Sequence, residues 1–442
     1  MRSIEPILRR ALTLVRPTPD EERILQRTAE FIVEKTRRAA LAFAEVKEVT
    51  LGGSFAKGTW LPSHADLDIF LKLDVNTPDD KFEEIGLKVG AEATKGHPRG
   101  KKYAQHPYTE ANVDGVKVNI VPCYDVKPKE WKSAADRSPF HVELVKKMSQ
   151  DQKDQVRLLK QFMRGVGTYG AEIEIQGFSG YAAEVLIIQH HDLLGALKSF
   201  AEIKRQADGK LLRLPDPVDP ERDLARAMSD EKLARMVLAS REFLSNPSIA
   251  CFGRMRGRIR PAMKENVVAV VFAHSKLSED TLWGELRRTI RHVRRHLEEK
   301  GFKIARALPA SNNSNSSAFI FVPEFHALPR LEQRLGPTVD RKKETETFVK
   351  VNRRRAKLIW VDDDARVRIL QEREWTDFSS FLAWIAKAGA RKTGASDEVG
   401  RGMARTGRVL SGRSLRRMAT SARWLRDGMD EIASDTAGTG AS

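Results

Sequence analysis

Cysteine is nearly absent from this sequence of 442 residues, which contains only Cys123 and Cys251. Two cysteines this far apart form no disulfide framework, and their spacing does not match a zinc site. The usage is typical of a reducing compartment, so we expect a cytoplasmic protein. Long apolar runs are also missing, and residues 1–15 lack the apolar core of a secretion signal. We therefore expect neither secretion nor a membrane partner.

Acidic residues are fewer than basic residues in this sequence. The sequence has 77 Lys and Arg residues against 60 Asp and Glu residues, which gives a formal net charge of +17. Such an excess favours a polyanionic partner through steering and counterion release. Acidic proteins and membrane surfaces attract a basic protein too, so charge alone leaves the partner open. The length predicts three or four domains, and a hydrophobic content of 41% is enough to fill their cores.

The most informative pattern joins Gly52-Gly53-Ser54 to Asp66-Leu67-Asp68. In a strand, alternate residues project to opposite faces, so Asp66 and Asp68 share one face while Leu67 points to the core. Two adjacent carboxylates repel each other unless a cation lies between them, and Mg²⁺ prefers such hard oxygen ligands. A Gly-Ser turn offers backbone N–H groups and a hydroxyl to phosphate oxygens. A lone Asp-x-Asp is more often a solvated strand end, so the context decides.

The context is a set of further motifs in a fixed order. Residues 52–70 closely resemble the signature of the nucleotidyltransferase superfamily that includes DNA polymerase beta and the poly(A) polymerases. Within it, the stretch Gly58-Thr59-Trp60-Leu61-Pro62 is similar to the archaeal, class I CCA-adding enzymes. The same family resemblance continues in Val121–Tyr124, Asp136–His141, Val156–Lys160, Tyr169–Glu172, Gly177–Tyr181 and Asp216–Asp219. It covers most of the first 260 residues and continues more weakly to about Trp360.

This resemblance implies an enzyme that adds C, C and A to the 3′ end of tRNA without a nucleic-acid template, using two metal ions. It implies Mg²⁺ as the cofactor, CTP and ATP as substrates, and the acceptor stem and 3′ end of tRNA as the partner. The site residues that it implies are Asp66 and Asp68 for the metal, Ser54 and Lys57 for phosphates, His141, Lys160 and Tyr169 for the incoming nucleotide, and Arg222 for reading its base.

One departure from the family pattern falls at Asn119, where relatives usually carry a third carboxylate. In a two-metal site that carboxylate commonly ligates the metal that activates the attacking hydroxyl. An amide offers a neutral oxygen and no basicity. Asp125 or Asp114 could replace it through water, although Asp125 follows Pro122, where we expect the strand to have ended. Slow catalysis, or none, is compatible with this substitution.

We predict a multidomain α+β protein. Residues 1–140 should form a catalytic domain with a small mixed sheet, with strands near 46–51, 67–73 and 115–121 and helices near 19–39 and 79–94. Residues 141–255 should form a mostly helical domain that selects the nucleotide.

Residues 256–375 should form an α+β RNA-binding domain with a ferredoxin-like or RNA-recognition-like βαβ layer. Residues 376–442 form a basic tail, with eight Arg and no Asp or Glu between Val399 and Arg426. The tail is either a basic arm that orders on RNA or a partly disordered segment.

Two other functions stay open at this stage. A poly(A) or oligoadenylate polymerase would share the catalytic core and use ATP alone. A catalytically silent tRNA-binding protein would explain Asn119. The sequence also leaves open whether the protein forms a homodimer.

Overall fold

The computed structural model describes residues 4–62, 65–103, 105–253, 261–388, 394 and 397–434. The chain divides into two compact units, Met1–Gly257 and Arg258–Asp435. Both mix helices with sheets, so the predicted α+β class is confirmed. The predicted domain boundaries after residues 140, 255 and 375 stay predictions.

The catalytic sheet of the first unit has five strands in the order β1-β2-β5-β4-β3. Strands β2 and β5 are parallel and the other neighbours are antiparallel, which makes the sheet mixed, as predicted. Strands β3 and β4 were not predicted. The bounds are β1 Val46–Gly52, β2 Asp66–Leu73, β3 Arg99–Tyr103, β4 Pro107–Val113 and β5 Val116–Tyr124.

The helices of the first unit are, in chain order, α1 Ile4–Val15, α2 Pro19–Ala40, α3 Gly53–Lys57, α4 Asp79–Ala93, α5 Ser138–Lys146, α6 Gln150–Gly165, α7 Gly180–His190, α8 Leu193–Ala201 and α9 Asp230–Ser245. Helix α2 begins with a capping box in which Thr18 and Glu21 satisfy each other's backbone N–H groups. Short 3₁₀ helices span Ala134–Arg137 and Ile249–Phe252.

One face of the catalytic sheet is covered and the other carries the polar side chains. In β2, Leu67, Ile69 and Leu71 are fully buried, whereas Asp66 and Asp68 are half-buried; Phe70, on the same side as the aspartates, is also buried. Leu67, Ile69 and Leu71 pack with α2 and α4 into one core cluster. The alternation therefore leaves the face with Asp66 and Asp68 available for chemistry.

The second unit contains a four-stranded sheet in the order β12-β6-β8-β7, with all neighbours antiparallel. Its strands are β6 Val268–Ala273, β7 Ile304–Ser311, β8 Ser316–Pro323 and β12 Arg408–Ser411, and α11 Glu279–Glu299 connects β6 to β7. Numbered along the sheet's own strands, the order is 4-1-3-2, that of a ferredoxin-like layer. The predicted layer is therefore present, and its last strand comes from the segment predicted as the basic tail.

The remaining elements of the second unit are a short α10 Pro261–Glu265, a three-stranded sheet and five helices after α11 in the described residues. The sheet has the order β10-β11-β9, with β9 Leu331–Thr338, β10 Ala356–Val361 and β11 Arg366–Glu372. The helices are α12 Lys342–Asn352, α13 Phe378–Ala388, α14 Asp397–Thr406, α15 Gly412–Ser421 and α16 Arg423–Ile432. Within the described ranges, we find no helix with the length and apolarity to span a bilayer.

Close packing of α4 on the sheet depends on a missing side chain at Gly90. A Cβ at this position would overlap Thr109 Oγ1 on β4 and lie 2.6 Å from Thr109 Cβ. Gly284 in α11 is different, because a Cβ there meets no heavy atom within 4 Å. Replacing Gly90 by alanine therefore adds a steric clash, whereas replacing Gly284 by alanine changes only the helix propensity.

We predict opposite effects for alanine at these two positions. Gly90→Ala should lower the unfolding free energy by about 1–3 kcal/mol, because the helix must move off the strand. Gly284→Ala should raise it by up to about 1 kcal/mol, because alanine loses less backbone entropy in a helix. Scanning calorimetry of both variants tests this, and a Gly90→Ala protein as stable as Gly284→Ala would contradict the packing argument.

Candidate active site

Asp68 lies directly against the Gly-Ser turn that follows β1. The turn runs straight into the short helix α3, and Gly53 has a φ of +64°, a conformation that suits glycine. A Cβ on Gly53 would overlap Asp68 Oδ2. Only glycine therefore allows the turn and this carboxylate to approach so closely, and Ser54 follows at the next position.

Asn119 lies beside Asp68 on the neighbouring strand. The two residues are register partners in the parallel β2–β5 pair, and Asn119 Nδ2 donates a hydrogen bond of 2.9 Å to Asp68 Oδ1. Burial raises the pKa of Asp68, and the Asn119 hydrogen bond opposes that rise. Asn119 itself is 8% exposed, and its Oδ1 has no hydrogen-bond partner among the described residues.

Asp66 is held by a lysine that the sequence analysis did not consider. Lys117 Nζ lies 3.3 Å from Asp66 Oδ2 and 3.2 Å from Oε2 of Glu110, a residue on β4. By contrast, Asp114 lies in the exposed turn between β4 and β5, with a φ of +51°.

Strand β5 extends three residues beyond its predicted end at residue 121, although Asp125 lies beyond the strand, as expected. The strand continues through Pro122 to Tyr124, because residues as far as Tyr124 pair with β2. Asp125 is exposed just beyond that end and lies 4.0 Å from Lys72. Since Lys72 is near the opposite end of β2 from Asp66, Asp125 does not reach the paired carboxylates.

The donor set of this site fits a hard divalent cation. It offers carboxylate oxygens from Asp66 and Asp68 and the unpartnered amide oxygen of Asn119. Within the described residues, no group of three or more His, Cys, Asp or Glu side chains is arranged to hold a metal. The protein thus supplies part of a coordination shell, which leaves positions for phosphate oxygens and water, as Mg²⁺ usually requires.

Lys57 and Lys160 converge on one buried carboxylate, Glu184. Lys57 Nζ lies 2.8 Å from Glu184 Oε2, and Lys160 Nζ lies 2.9 Å from Oε1. Thr59 Oγ1 donates to the same Oε1 at 2.5 Å. Burial raises the pKa of Glu184, but Lys160 and Lys57 outweigh it and lower the pKa to about 2. Two lysines on one glutamate leave this cluster with one net positive charge.

Tyr169 lies next to this cluster. A Cβ placed on Gly180 would be 3.0 Å from Tyr169 Oη and 3.5 Å from Lys160 Nζ, so both groups border the start of α7. Burial raises the pKa of Tyr169 to about 12, which keeps its hydroxyl protonated at neutral pH. The structure therefore brings Lys57, Lys160 and Tyr169 together.

His141 and Arg222 meet at a second buried carboxylate, Asp216. His141 Nε2 lies 3.0 Å from Asp216 Oδ2, and Arg222 Nη1 lies 3.3 Å from the same oxygen. Tyr181 donates to Asp216 Oδ1 at 2.7 Å and stacks on the His141 ring, with centroids 3.7 Å apart. Burial lowers the pKa of His141, so the ring tends to be neutral.

The Asp219 carboxylate pairs with Arg137 rather than with Arg222. It lies 2.7 Å from Arg137 Nε, and Asp216 holds Arg222 instead. The two clusters are connected, because Lys57 Nζ lies 4.9 Å from the centroid of the Tyr181 ring.

Sequence reasoning missed Glu184, Asp216 and Tyr181 as parts of the site. Asp216 and Tyr181 lie inside motifs quoted above, but neither had a role. Glu184 had a detectable signal: it is the only charged residue in the apolar stretch Ala182–Ile188. A charge in such a stretch must be paired when the helix is buried.

This site, with paired carboxylates against a Gly-Ser turn on a small mixed sheet, defines a nucleotidyltransferase. The family model "Nucleotidyltransferase domain" matches residues 33–141. Two further family models match: "tRNA nucleotidyltransferase, second domain" at residues 154–253 and "CCA-adding enzyme, C-terminal domain" at residues 264–412. Relatives named CCA-adding enzyme match over most of their length. The chain therefore belongs to the CCA-adding enzymes. The family resemblance in the sequence is thereby confirmed.

Three archaeal relatives named CCA-adding enzyme illustrate the similarity. The protein from Pyrobaculum neutrophilum is 37% identical, over 77% of this chain and 83% of its own. That from Methanothermobacter thermautotrophicus is 32% identical, over 84% and 86%. That from Methanopyrus kandleri is 31% identical, over 94% of each chain.

We predict that Glu184→Gln destabilises the first unit by about 3–5 kcal/mol, because two buried lysines lose their counter-ion. Acid should destabilise the parent protein in the same way, because protonation removes the negative charge of Glu184. A pKa lowered from 4.5 to about 2 means that the stabilisation is complete above pH 4.5 and is lost as the pH falls toward 2. Chemical denaturation as a function of pH measures both effects.

The control is Glu84→Gln, which breaks the exposed helical pair of Glu84 with Lys88. Such surface pairs contribute about 0.5 kcal/mol or less. Equal losses for the two variants would contradict a special role of Glu184.

Proposed function

We propose that this CCA-adding enzyme adds C, C and A to the 3′ end of tRNA from CTP and ATP at the site built around Asp66 and Asp68. The observation that carries the proposal is the position of both carboxylates on one sheet face, with Asp68 against the Gly53-Ser54 turn, in a chain of this family. Glu184 and Asp216 lie nearby in the same unit and organise the groups expected to bind the nucleotide.

Asp66 and Asp68 are the residues that would hold Mg²⁺. When bound, the cation would neutralise charge on the triphosphate and favour ionisation of the primer 3′ hydroxyl. Burial raises the pKa of Asp68, because desolvation disfavours its charged form. A divalent cation favours the ionised form of that carboxylate, so the same burial that disfavours its charge strengthens its interaction with a cation.

Ser54 and Lys57 are proposed to hold the triphosphate. Ser54 lies on the turn next to Asp68, and Lys57 ends the short helix that follows it. Lys57 is buried against Glu184, so it contributes a fixed positive charge rather than a mobile one. Lys160 shares that glutamate, and the net positive charge of the cluster favours a polyphosphate.

Base selection is assigned to Arg222, supported by His141 and Tyr169. The Arg222 side chain is 43% exposed, while Asp216 fixes one of its terminal nitrogens. Its remaining N–H donors suit the acceptors O2 and N3 of cytosine and N1 of adenine. His141 stacks on Tyr181, which restricts the motion of both rings, and the Tyr169 hydroxyl lies beside Gly180 at the start of α7.

The tRNA is the proposed polyanionic partner. Helix α11 of the second unit carries Arg287, Arg288, Arg291, Arg294 and Arg295 on its polar side, and its buried residues Leu286, Ile290 and Val293 face the core. These arginines add to the overall charge of +17. Phosphate contacts of this kind position an RNA without reading its sequence.

The test is an end-labelling assay with sequenced products. Purified protein is incubated with tRNA that lacks its terminal CCA, with CTP, ATP or both, and Mg²⁺. Ordered addition of C, C and A is expected. Homopolymeric A tails from ATP alone would instead identify a poly(A)-type polymerase.

A catalytically silent tRNA-binding protein is the second candidate, and Asn119 is the observation that favours it. This residue places an amide where relatives usually carry the third carboxylate, and its Nδ2 already donates a hydrogen bond to Asp68. Binding of tRNA without any incorporation, together with activity gained by Asn119→Asp, would select this candidate.

We predict that Asp66→Ala lowers the incorporation rate by at least about 10²-fold while tRNA affinity changes less than about twofold. Chemistry at such a site depends on charge neutralisation, whereas RNA binding depends on phosphate contacts elsewhere. Single-turnover incorporation and filter binding measure the two quantities. Asp125→Ala is the control, since Asp125 is exposed and remote from Asp66; parent-like incorporation by Asp66→Ala would refute the assignment.

For Arg222→Ala we predict slow or misdirected nucleotide addition with tRNA affinity retained. The substitution removes donors that discriminate a base and leaves the metal-binding residues intact. Competition between CTP and ATP at each position, read by sequencing, is the measurement. Arg213→Ala is a matched control, because Arg213 is exposed and pairs only weakly with Asp208 at 3.6 Å. Unchanged CTP and ATP selection would remove Arg222 from this role.

A further inference from the structure

Asp68, Asn119 and Glu110 form a row across three neighbouring strands. Asp68 on β2 is the register partner of Asn119 on β5, and Asn119 is the register partner of Glu110 on β4. Register partners project to the same face of a sheet. Glu110 therefore stands on the open face beside the residue that has lost its carboxylate, one strand further from Asp68.

The contacts of Lys117 show that the carboxylates of Glu110 and Asp66 approach each other across β5. Its Nζ lies 3.3 Å from Asp66 Oδ2 and 3.2 Å from Glu110 Oε2, so these two oxygens are at most about 6.5 Å apart. A cation already joins the two carboxylates, although it is an ammonium group. A Mg²⁺ ion bound directly to one carboxylate, and through one of its water molecules to the other, would span a similar distance.

Asn119 provides a second, independent indication of a ligand. Its side chain is more than nine-tenths buried, its Nδ2 is fixed on Asp68, and its Oδ1 has no partner among the described residues. Leaving a buried acceptor unsatisfied is unfavourable, because the group has lost its hydrogen bonds to water. Because Asn119 stands between Asp68 and Glu110 in the row, its amide oxygen suits a cation that supplies the missing interaction.

We propose that Glu110 replaces the lost carboxylate at position 119 as a cation-binding residue, and that Lys117 occupies the position between Asp66 and Glu110 until the divalent cation displaces it. This inference rests on the proposed function for the identity of the site. It explains how a site with an amide at position 119 retains enough negative charge for catalysis. Glu110 acts on the cation directly or through one water, and Asn119 adds a neutral oxygen.

The first experiment measures Mn²⁺ binding by electron paramagnetic resonance on full-length protein without tRNA or nucleotide. Glu110→Gln should weaken Mn²⁺ binding about 10- to 100-fold, the range for loss of a supporting ligand. The matched control is Glu48→Gln, because Glu48 pairs with Lys72 at 2.7 Å on the same sheet but far from Asp66. Parent-like Mn²⁺ affinity in Glu110→Gln would overturn the proposal.

Two further variants strengthen the test. Glu110→Gln combined with Asn119→Asp should recover Mn²⁺ affinity, because the carboxylate returns to the neighbouring strand. Lys117→Met should tighten Mn²⁺ binding, because the competing ammonium is gone; weaker binding would mean that Lys117 is a required part of the site and would overturn its assigned role. Thermal unfolding in chelator identifies any variant that is simply misfolded, and Glu110→Asp then replaces it.

Incorporation assays separate this proposal from the proposed function. A parent protein that binds Mn²⁺ but adds no nucleotide to tRNA would refute the function, while the Mn²⁺ affinities would still decide the role of Glu110. A parent that adds C, C and A, with a Glu110→Gln variant that needs no more Mg²⁺ for half-maximal rate, would refute the role of Glu110 alone.

Discussion

The buried contact of Glu184 with Lys57 and Lys160 is the interaction on which the site depends. Lys57 ends the helix that carries Ser54, and Lys160 and Glu184 belong to the helical part of the same unit, on α6 and α7. Separating these charges inside a protein is costly, whereas pairing them is only weakly favourable. These three residues therefore act mainly as a geometric constraint that fixes the position of the Gly-Ser turn relative to helices α6 and α7.

A second buried constraint reinforces the first. Arg157 on α6 donates to the carbonyl oxygens of Gly58 and Trp60, and its third contact is with Asp154 on its own helix. The chain that leaves the Gly-Ser turn is thus held by backbone contacts as well as by Glu184. Both constraints act on residues that precede Asp66 by only a few positions, so they limit where β2 and its carboxylates can lie.

Much of the fold and part of the site could be predicted from the sequence. The strands around Asp66 and Asn119 alternate apolar and polar residues over 66–69 and 116–120, and that pattern is local. Strands β3 and β4 escaped prediction because Arg99–Tyr103 is polar throughout and β4 follows within a few residues. The proximity of Glu110 to Asn119 could not be predicted either, because it depends on how β4 pairs with β5. Partners such as Asp216 for Arg222 depend on tertiary packing and have no local signature.

The amide at position 119 changes the electrostatics of the site as well as its chemistry. Three carboxylates on neighbouring positions would repel one another and would need cations to be stable. With Asn119, each carboxylate has a donor from the protein: Asn119 for Asp68, and Lys117 for both Asp66 and Glu110. A cation must therefore compete with these contacts. Because Asn119 is neutral and the single Lys117 ammonium faces both Asp66 and Glu110, this group of carboxylates keeps an excess of negative charge, which favours a divalent cation.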